Sequence, residues 1–349
     1  MTLSPRRTRL AAALVGIAFL VAGGLAWAQP LEAFLARADR AVGVVTSGLE
    51  RDDAERALGR TEADPLALRP ELVQARQRAE LNRALAREAL YEAYVDVAAA
   101  YAQVREAELQ LGLARAARDL AARGLEVARL RFERGSATAL EVQAAETDLR
   151  EAEQGVSAAG DGLALAKSNL EGITGLALAA SEPLERERLA TLRVPGDEAL
   201  VAAAERTPTV LQVGHALALA ELQVELLDPS FAARSQIDQA ALQRDQARAG
   251  AEEAQRGVTL LLRSRANTLA SALERDRIAQ EALSQAYERE AIERRRLDAG
   301  LISELAFDQA RLQTLQAEVR AVQAEHALVA AALQLQAATL VPLEGWHGF

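Results

Sequence analysis

Residues 130–142 read Leu-Arg-Phe-Glu-Arg-Gly-Ser-Ala-Thr-Ala-Leu-Glu-Val. A helical pattern runs up to Glu133, and Gly135 suits the left-handed conformation that commonly ends a helix. Thr138 can cap the next helix, because Glu141 lies three residues later and completes a capping box. The stretch therefore predicts a tight turn between two helices, which is the tip of a helical hairpin.

The two helices on either side of this turn are predicted to be long. No proline occurs from Glu71 to Glu133, and a helix of that length extends on the order of 90 Å. The returning helix is predicted from Ala139 to about Ile173. Apolar residues recur along it at alternating spacings of three and four, which indicates a coiled-coil seam. These seam residues are Leu149, Ala152, Val156, Ala159, Leu163, Ala166 and Leu170.

The same plan recurs in the second half of the chain. Placing Gly300 on Gly135 aligns Leu140 with Leu305 and Leu163 with Leu328. The proline break at 64–65 likewise matches the break at 228–229. A third feature, the helix that precedes each break, occurs at 31–63 and again at 197–227, where Thr207-Pro208 interrupts it lightly. Tip, break and seam agree, which predicts a duplicated unit.

The second copy has its own long helices. A proline-free helix is predicted from about Ala232 to Asp298, and a returning helix from Glu304 to about Ala338. The returning helix carries two apolar stripes, so we expect it to be packed on two sides.

The chain divides on this plan into five parts. These are a signal peptide at 1–28, a first hairpin repeat at 29–176, a linker at 177–196, a second hairpin repeat at 197–340 and a tail at 341–349. The signal consists of an arginine-rich start, an apolar core at 10–25 and the small-residue cleavage pattern Ala26-Trp27-Ala28. A retained membrane anchor is the alternative, since residues 10–28 are just long enough to span a bilayer. In either case the remainder is predicted to lie outside the cytoplasm.

Composition agrees with an all-α protein and excludes several functions. Aromatic residues make up only 3% of the chain, and good helix formers dominate nearly every block. The chain has no cysteine, and its net charge of −10 with interleaved acids and bases argues against a nucleic-acid partner. His215, His326 and His347 share no metal-ligand spacing. We therefore expect no enzyme activity, no metal and no cofactor.

Three features near the second tip or in the last helix have competing interpretations. His326 lies in an apolar stripe, which favours a partly buried, hydrogen-bonded core histidine over a ligand or proton relay. Asp308 is interpreted as a solvated helix residue. The arginines at 294–296 suit the negative end of a helix dipole, although a docking role is the alternative.

The tip sequence resembles that of the TolC-like outer-membrane efflux proteins. The resemblance rests on 130–142, on its second copy Arg296-Leu297-Asp298-Ala299-Gly300-Leu301-Ile302-Ser303-Glu304-Leu305, on Tyr94-Val95-Asp96-Val97, on the helix ending at 170–175, and on Arg206-Thr207-Pro208. It implies a homotrimer whose hairpins form a twelve-helix periplasmic tunnel. It also implies four membrane strands per chain, placed between the first and second helix of each repeat. Residues 64–70 and 228–230 are too short to supply them, so we predict TolC-like helical hairpins without the β-barrel.

The resemblance implies a function as well. The leading hypothesis is a helical conduit wall in the periplasm or outer membrane, whose tips dock the helical hairpin of a periplasmic adaptor protein. The predicted docking residues are Arg134, Gly135, Ser136, Ala137, Ala299, Gly300, Leu301 and Ile302. Their sequence is equally consistent with tight turns and nothing more. A barrel-less coiled coil with a structural or tethering role, and no transport, is the alternative function.

Overall fold

Every regular element in the described part of the chain is a helix. The structure, a computed structural model, describes residues 30–178, 180–181, 192–228 and 230–343. The predicted all-α class is therefore confirmed. The α-helices are α1 (Leu31–Leu35), α2 (Val42–Ala63), α3 (Arg69–Glu133), α4 (Ala139–Thr174), α5 (Asp197–Ala204), α6 (Pro208–Leu226), α7 (Arg234–Asp298) and α8 (Glu304–Thr339).

The long helices lie close to where the sequence predicts them. Both α3 and α7 contain 65 residues, and both α4 and α8 contain 36. At 1.5 Å per residue, α3 and α7 are each about 100 Å long. The start of α3 is set by Pro70 in its first turn and by Glu71, whose carboxylate accepts a hydrogen bond from the Leu68 amide at 3.0 Å.

Two helices predicted as continuous are broken. The predicted 31–63 helix consists of α1, a 3₁₀ turn at Ala38–Arg40 and α2. The break lets α1 bury Phe34 and Leu35 in the core, while α2 follows the outside of α3. The predicted 197–227 helix is divided into α5 and α6 at Pro208, which has no amide hydrogen and disfavours a helical conformation at Thr207. Thr207 is accordingly extended, with φ −72° and ψ 145°.

The long helices form one layer. Helix α3 packs on α4, α7 packs on α8, and α3 also packs on α8, so the order across the tip-bearing half is α4, α3, α8, α7. In the other half of the layer α2 takes the place of α4 beside α3, and α6 lies between α3 and α7. The last helix, α8, is thus covered on two sides, as its two apolar stripes predict. The seven seam residues of α4 are all half-buried or buried.

The core lies where α1 and α5 cover the middle of the long helices. Phe34 of α1 packs against Tyr101 of α3 with ring centroids 5.7 Å apart, and both side chains are fully buried. Leu269 of α7 and Leu335 of α8 close the same cluster. Small residues such as Ala100 complete it and allow the helices to approach closely.

Parts of the predicted organisation fall outside the described residues. They are the signal segment at 1–28, the central part of the linker at 182–191 and the end of the tail at 344–349. Within the described ranges, no helix combines the length and the apolarity needed to cross a bilayer.

The Phe34–Tyr101 contact provides a test of this core. Phe34→Ala removes a fully buried ring and leaves a cavity, so we expect the free energy of unfolding to fall by about 3 kcal/mol. Urea unfolding followed by circular dichroism measures the change. Phe231→Ala is the matched control, because Phe231 is exposed and its truncation should change the free energy by no more than about 0.5 kcal/mol. Equal effects of the two substitutions would contradict the placement of α1 in the core.

Candidate functional site

The first tip is a tight, fully hydrogen-bonded helix ending. Gly135 has φ +72°, in the left-handed region. Its amide donates to the Phe132 carbonyl at 2.9 Å, and the Ser136 amide donates to the Arg131 carbonyl at 2.8 Å. This pair of bonds is the Schellman motif, which satisfies carbonyls that the end of a helix otherwise leaves without partners. The Ser136 hydroxyl adds a third bond, to the Arg131 carbonyl at 3.0 Å.

The capping box predicted after this tip is present. The Thr138 amide donates to Glu141 Oε2 at 2.6 Å, and the Glu141 amide donates to Thr138 Oγ1 at 3.3 Å. These two bonds begin α4 directly after the turn. The turn between α3 and α4 is therefore fixed from both sides.

The second tip repeats the geometry of the first. Gly300 has φ +71°, and its amide donates to the Leu297 carbonyl at 2.8 Å. The Leu301 amide donates to the Arg296 carbonyl, also at 2.8 Å. Ser303 caps α8 by accepting a bond from the Ala306 amide at 3.2 Å. The capping-box pattern does not predict this cap, because alanine, and not a glutamate, stands three residues after Ser303.

The two tips lie at the same end of the layer and expose apolar side chains. Leu140 and Leu301 are exposed next to the first and second tip respectively, and Phe132 is half-exposed. Ala137 and Ile302 are half-buried. Leu301 is thus the predicted docking residue with a large apolar side chain that is open to solvent, at 71% exposure. Arg134 and Ala299 provide the last, near-helical residue before each glycine.

An arginine joins the two hairpins near the tips. Arg123 of α3 places Nη1 2.9 Å from Asp308 Oδ2 and 3.1 Å from Glu304 Oε2 of α8. The Asp308 side chain is only 17% exposed, so its interpretation as a solvated residue is wrong. The partner lies on the other hairpin, where a sequence pattern within one helix gives no indication of it.

The three arginines at 294–296 contact residues of α7 and α8 next to the second tip. The Arg294 guanidinium lies 5.2 Å from the centroid of the Phe307 ring, in a cation–π geometry. Arg295 donates to the Ala291 carbonyl at 3.2 Å, and Arg296 pairs with Glu293 at 2.9 Å. These contacts favour a helix-terminus role, while the docking alternative stays a prediction.

The interior histidine is placed as predicted. His326 is 7% exposed, and its Nδ1 lies 3.0 Å from Glu106 Oε1 on α3. The contact joins the two hairpins, as the Arg123 contact does. Elsewhere, His215 lies 3.2 Å from Glu80. In the described ranges no group of three histidine, aspartate or glutamate side chains is arranged to hold a metal ion.

Two further polar features were not predicted. Tyr287 of α7 donates a hydrogen bond to Glu318 of α8, and this bond to a carboxylate raises the pKa of Tyr287 to about 12. A cavity of about 480 Å³ between α3, α7 and α8 is lined by Glu88, Glu92 and Asp96. Burial, together with the neighbouring charge of Glu92, raises the pKa of Glu88 above its ordinary value. The i, i+4, i+8 spacing of these carboxylates is a signal that could have revealed the cavity.

Sequence comparison alone assigns no family to this chain. No protein-family model matches it, and no curated protein matches its sequence.

The fold does match solved structures. A membrane protein from Pseudomonas aeruginosa has a TM-score of 0.62 at 15% identity, with 88% of this chain and 90% of that chain covered. The CmeC outer membrane channel of Campylobacter jejuni has a TM-score of 0.60 at 11% identity, covering 90% and 86%. The outer membrane protein VceC from Vibrio cholerae has a TM-score of 0.56 at 15% identity, covering 86% and 95%.

These structures define the class of fold. VceC and CmeC belong to the TolC family of outer-membrane proteins. The predicted resemblance is confirmed for the fold: the chain has TolC-like helical hairpins. At 11% to 15% identity the likeness establishes the fold alone.

The tip glycines can be tested by a pair of identical substitutions. Gly135→Ala places a side chain at φ +72°, where a Cβ costs about 1–2 kcal/mol. Gly112→Ala, inside α3, should instead stabilise by about 0.5–1 kcal/mol. A Cβ at either position meets no atom within 4 Å, so only the backbone conformation differs. Chemical denaturation measures both, and a stabilised Gly135→Ala protein would refute the tip geometry.

Proposed function

We propose that the protein forms the wall of a helical conduit in an efflux assembly, as a homotrimer located in the periplasm or outer membrane. The observation that carries the proposal is the layer α4, α3, α8, α7, which in the tip-bearing half is one helix thick and, within the described ranges, has two uncovered edges. Such a layer buries its edges only against another molecule. Three copies placed edge to edge would close a ring of twelve helices.

Both edges of the layer have surfaces suited to contact between copies. Helix α4 packs chiefly on α3, and its outer face exposes Leu165 beside the small residues Gly155, Ala158 and Gly162. Helix α7 exposes Leu260, Leu261, Ile278 and Ile292 along its length. Small residues on one helix allow the larger side chains of another to approach closely. We therefore propose that α4 of one copy packs against α7 of the next.

The tips are proposed as the docking site for a periplasmic adaptor. Their supporting features are a rigid backbone and exposed apolar side chains, led by Leu301. A tip that is fixed by Schellman bonds and a capping box loses little conformational entropy on binding. An adaptor that presents its own helical hairpin end-on could contact both tips, since they lie at one end of the layer.

The remaining sequence predictions belong to the same proposal. We propose that 1–28 is an export signal and that 29–176 and 197–340 are duplicated hairpin units. The equal lengths of α3 and α7, and of α4 and α8, support duplication. Transport would be passive, with no enzyme activity in this chain.

A structural or tethering coiled coil without transport is the alternative. The observation that favours it is the shortness of two junctions: α2 ends at Ala63 and α3 begins at Arg69, while α6 ends at Leu226 and α7 begins at Arg234. A tether needs the length of the helices but does not need a closed ring. Oligomeric state separates the two functions.

The first test concerns ring closure. Native mass spectrometry of the mature chain should show a trimer. Leu165→Glu should convert it to monomer, because the substitution replaces about 2 kcal/mol of apolar burial at each interface by a buried charge. Leu66→Glu is the control, since Leu66 is also exposed but lies far from the α4 edge. A monomeric wild-type protein would contradict the conduit and favour the tether.

The second test concerns the tips. A photo-crosslinking residue at position 301 should form an adduct in cells with a periplasmic protein that contains a helical hairpin. The same residue at position 66, at the other end of the layer, should not form this adduct. Adduct formation from position 66 alone would refute docking at the tips while leaving the ring intact.

A further inference from the structure

The end of the layer opposite the tips carries a second apolar surface. The junction at 64–68 joins α2 to α3, and the junction at 227–233 joins α6 to α7. Arg69, the first residue of α3, pairs with Glu225 near the end of α6 through bonds of 2.6 and 3.1 Å. This pairing places the two junctions side by side. Their exposed large apolar side chains, Leu66, Leu68, Leu226 and Phe231, are termed the apolar pole here.

The apolar pole is unusually exposed. Phe231 is 90% exposed and Leu66 is 84% exposed, the highest values among the large apolar side chains in the described ranges. Leu68 and Leu226 are also more than half exposed. Clustered exposure of this kind marks a contact surface for a membrane or another protein, whereas single exposed residues are ordinary.

The two turns hold these side chains outward in the same way. Asp64 accepts a bond from the Leu66 amide at 2.9 Å, and Asp228 accepts one from the Ser230 amide at 2.7 Å. The Asp64 carbonyl accepts a further bond from the Ala67 amide, as the Asp228 carbonyl does from the Phe231 amide, both at 3.1 Å. The aspartate carboxylates are thus tied into the turns. Leu66 and Phe231 are exposed directly beside these bonds.

We infer that the apolar pole inserts into the interfacial region of a lipid bilayer. The side chains project from convex turns and have no surrounding wall, so a deformable apolar medium fits them better than the pocket of a protein. The nearest cations are paired, Arg69 with Glu225 and Arg76 with Glu62 at 3.0 Å. The Asp64 and Asp228 carboxylates accept amide hydrogen bonds within the turns, so no free basic group lies among these ion pairs and turn aspartates. Contact with lipid would therefore be governed by apolar burial, which is the main contribution for interfacial anchors without a basic surface.

This contact orients the whole molecule. Helix α3 runs about 100 Å from the pole to the first tip, so a pole held at a membrane surface projects both tips away from it. The inference holds for a conduit and for a tether alike. It does not depend on the proposed ring, because each chain carries its own pole.

Vesicle flotation tests the inference directly. The mature chain is mixed with large unilamellar vesicles of phosphatidylethanolamine and phosphatidylglycerol, and the bound fraction is measured. Binding should persist at about 0.5 M NaCl, where attraction between charges is screened within a few ångströms. The double variant Leu66→Ser/Phe231→Ser should bind at least about tenfold more weakly, since burying either side chain fully is worth about a factor of ten.

A matched control separates the pole from general hydrophobicity. Val42→Ser/Leu49→Ser removes two apolar side chains of α2 that are 79% and 62% exposed but lie outside the pole, the tips and the layer edges, and its vesicle binding should equal that of the wild type. Circular dichroism verifies that both double variants are folded. Equal binding by the pole variant, or no binding by the wild type, would overturn the inference.

A fluorescence measurement gives a second, independent readout. Phe231→Trp should show a blue shift on addition of vesicles, and lipids with brominated acyl chains should quench it. Leu49→Trp, at an exposed position of α2 outside the pole, should show neither effect. If position 231 stays in water while the wild-type pole captures a purified protein, the pole is a protein-docking surface and the lipid inference fails.

Discussion

A helix of about 100 Å depends on continuous lateral contact, and this requirement shapes the structure. Isolated helices gain little stability from their backbone hydrogen bonds, so helical stability in proteins comes mainly from packing of an apolar face. Helix α3 meets the requirement with α4 along one half, α2 along the other, and α8 and α6 on its second side. Helix α7 is covered by α6 and α8 and is contacted by α5, and in the described part of the chain no long helix packs on its other side. That difference leaves an apolar edge in the single chain, and it makes association with other copies physically reasonable.

The tips meet a second requirement, because the chain must reverse direction within a few residues at the end of each long helix. A reversal this sharp requires a left-handed residue, and glycine adopts that conformation at least cost. Gly135 and Gly300 do so with φ values that differ by one degree. The backbone therefore requires these glycines whether or not a partner docks at the tips.

The sequence predicts what depends on local chemistry. Four features arise from interactions within a few residues: the turns at the tips, the Thr138 capping box, the α4 seam and the bounds of the long helices. The structure has each of them. The sequence pattern predicts only a light interruption at Pro208, whereas the structure has two separate helices there, since proline affects the residue before it as well as the helix itself. The break after α1 was missed, because it arises from burial of Phe34 against Tyr101, and nothing in the local pattern encodes that contact.

The local sequence pattern does not predict the contacts between the two hairpins. The sequence around Asp308 has an ordinary helical pattern. In the structure, however, Asp308 is paired with Arg123 on the other hairpin and is largely buried. His326 and Glu106 meet across the same boundary. One member of each pair, Asp308 or His326, is shielded from solvent, so removing its partner leaves that group without compensation. These contacts therefore fix the register of one hairpin against the other, and the spacing between the two tips follows from that register. Any partner that contacts both tips would depend on residues lying well away from them.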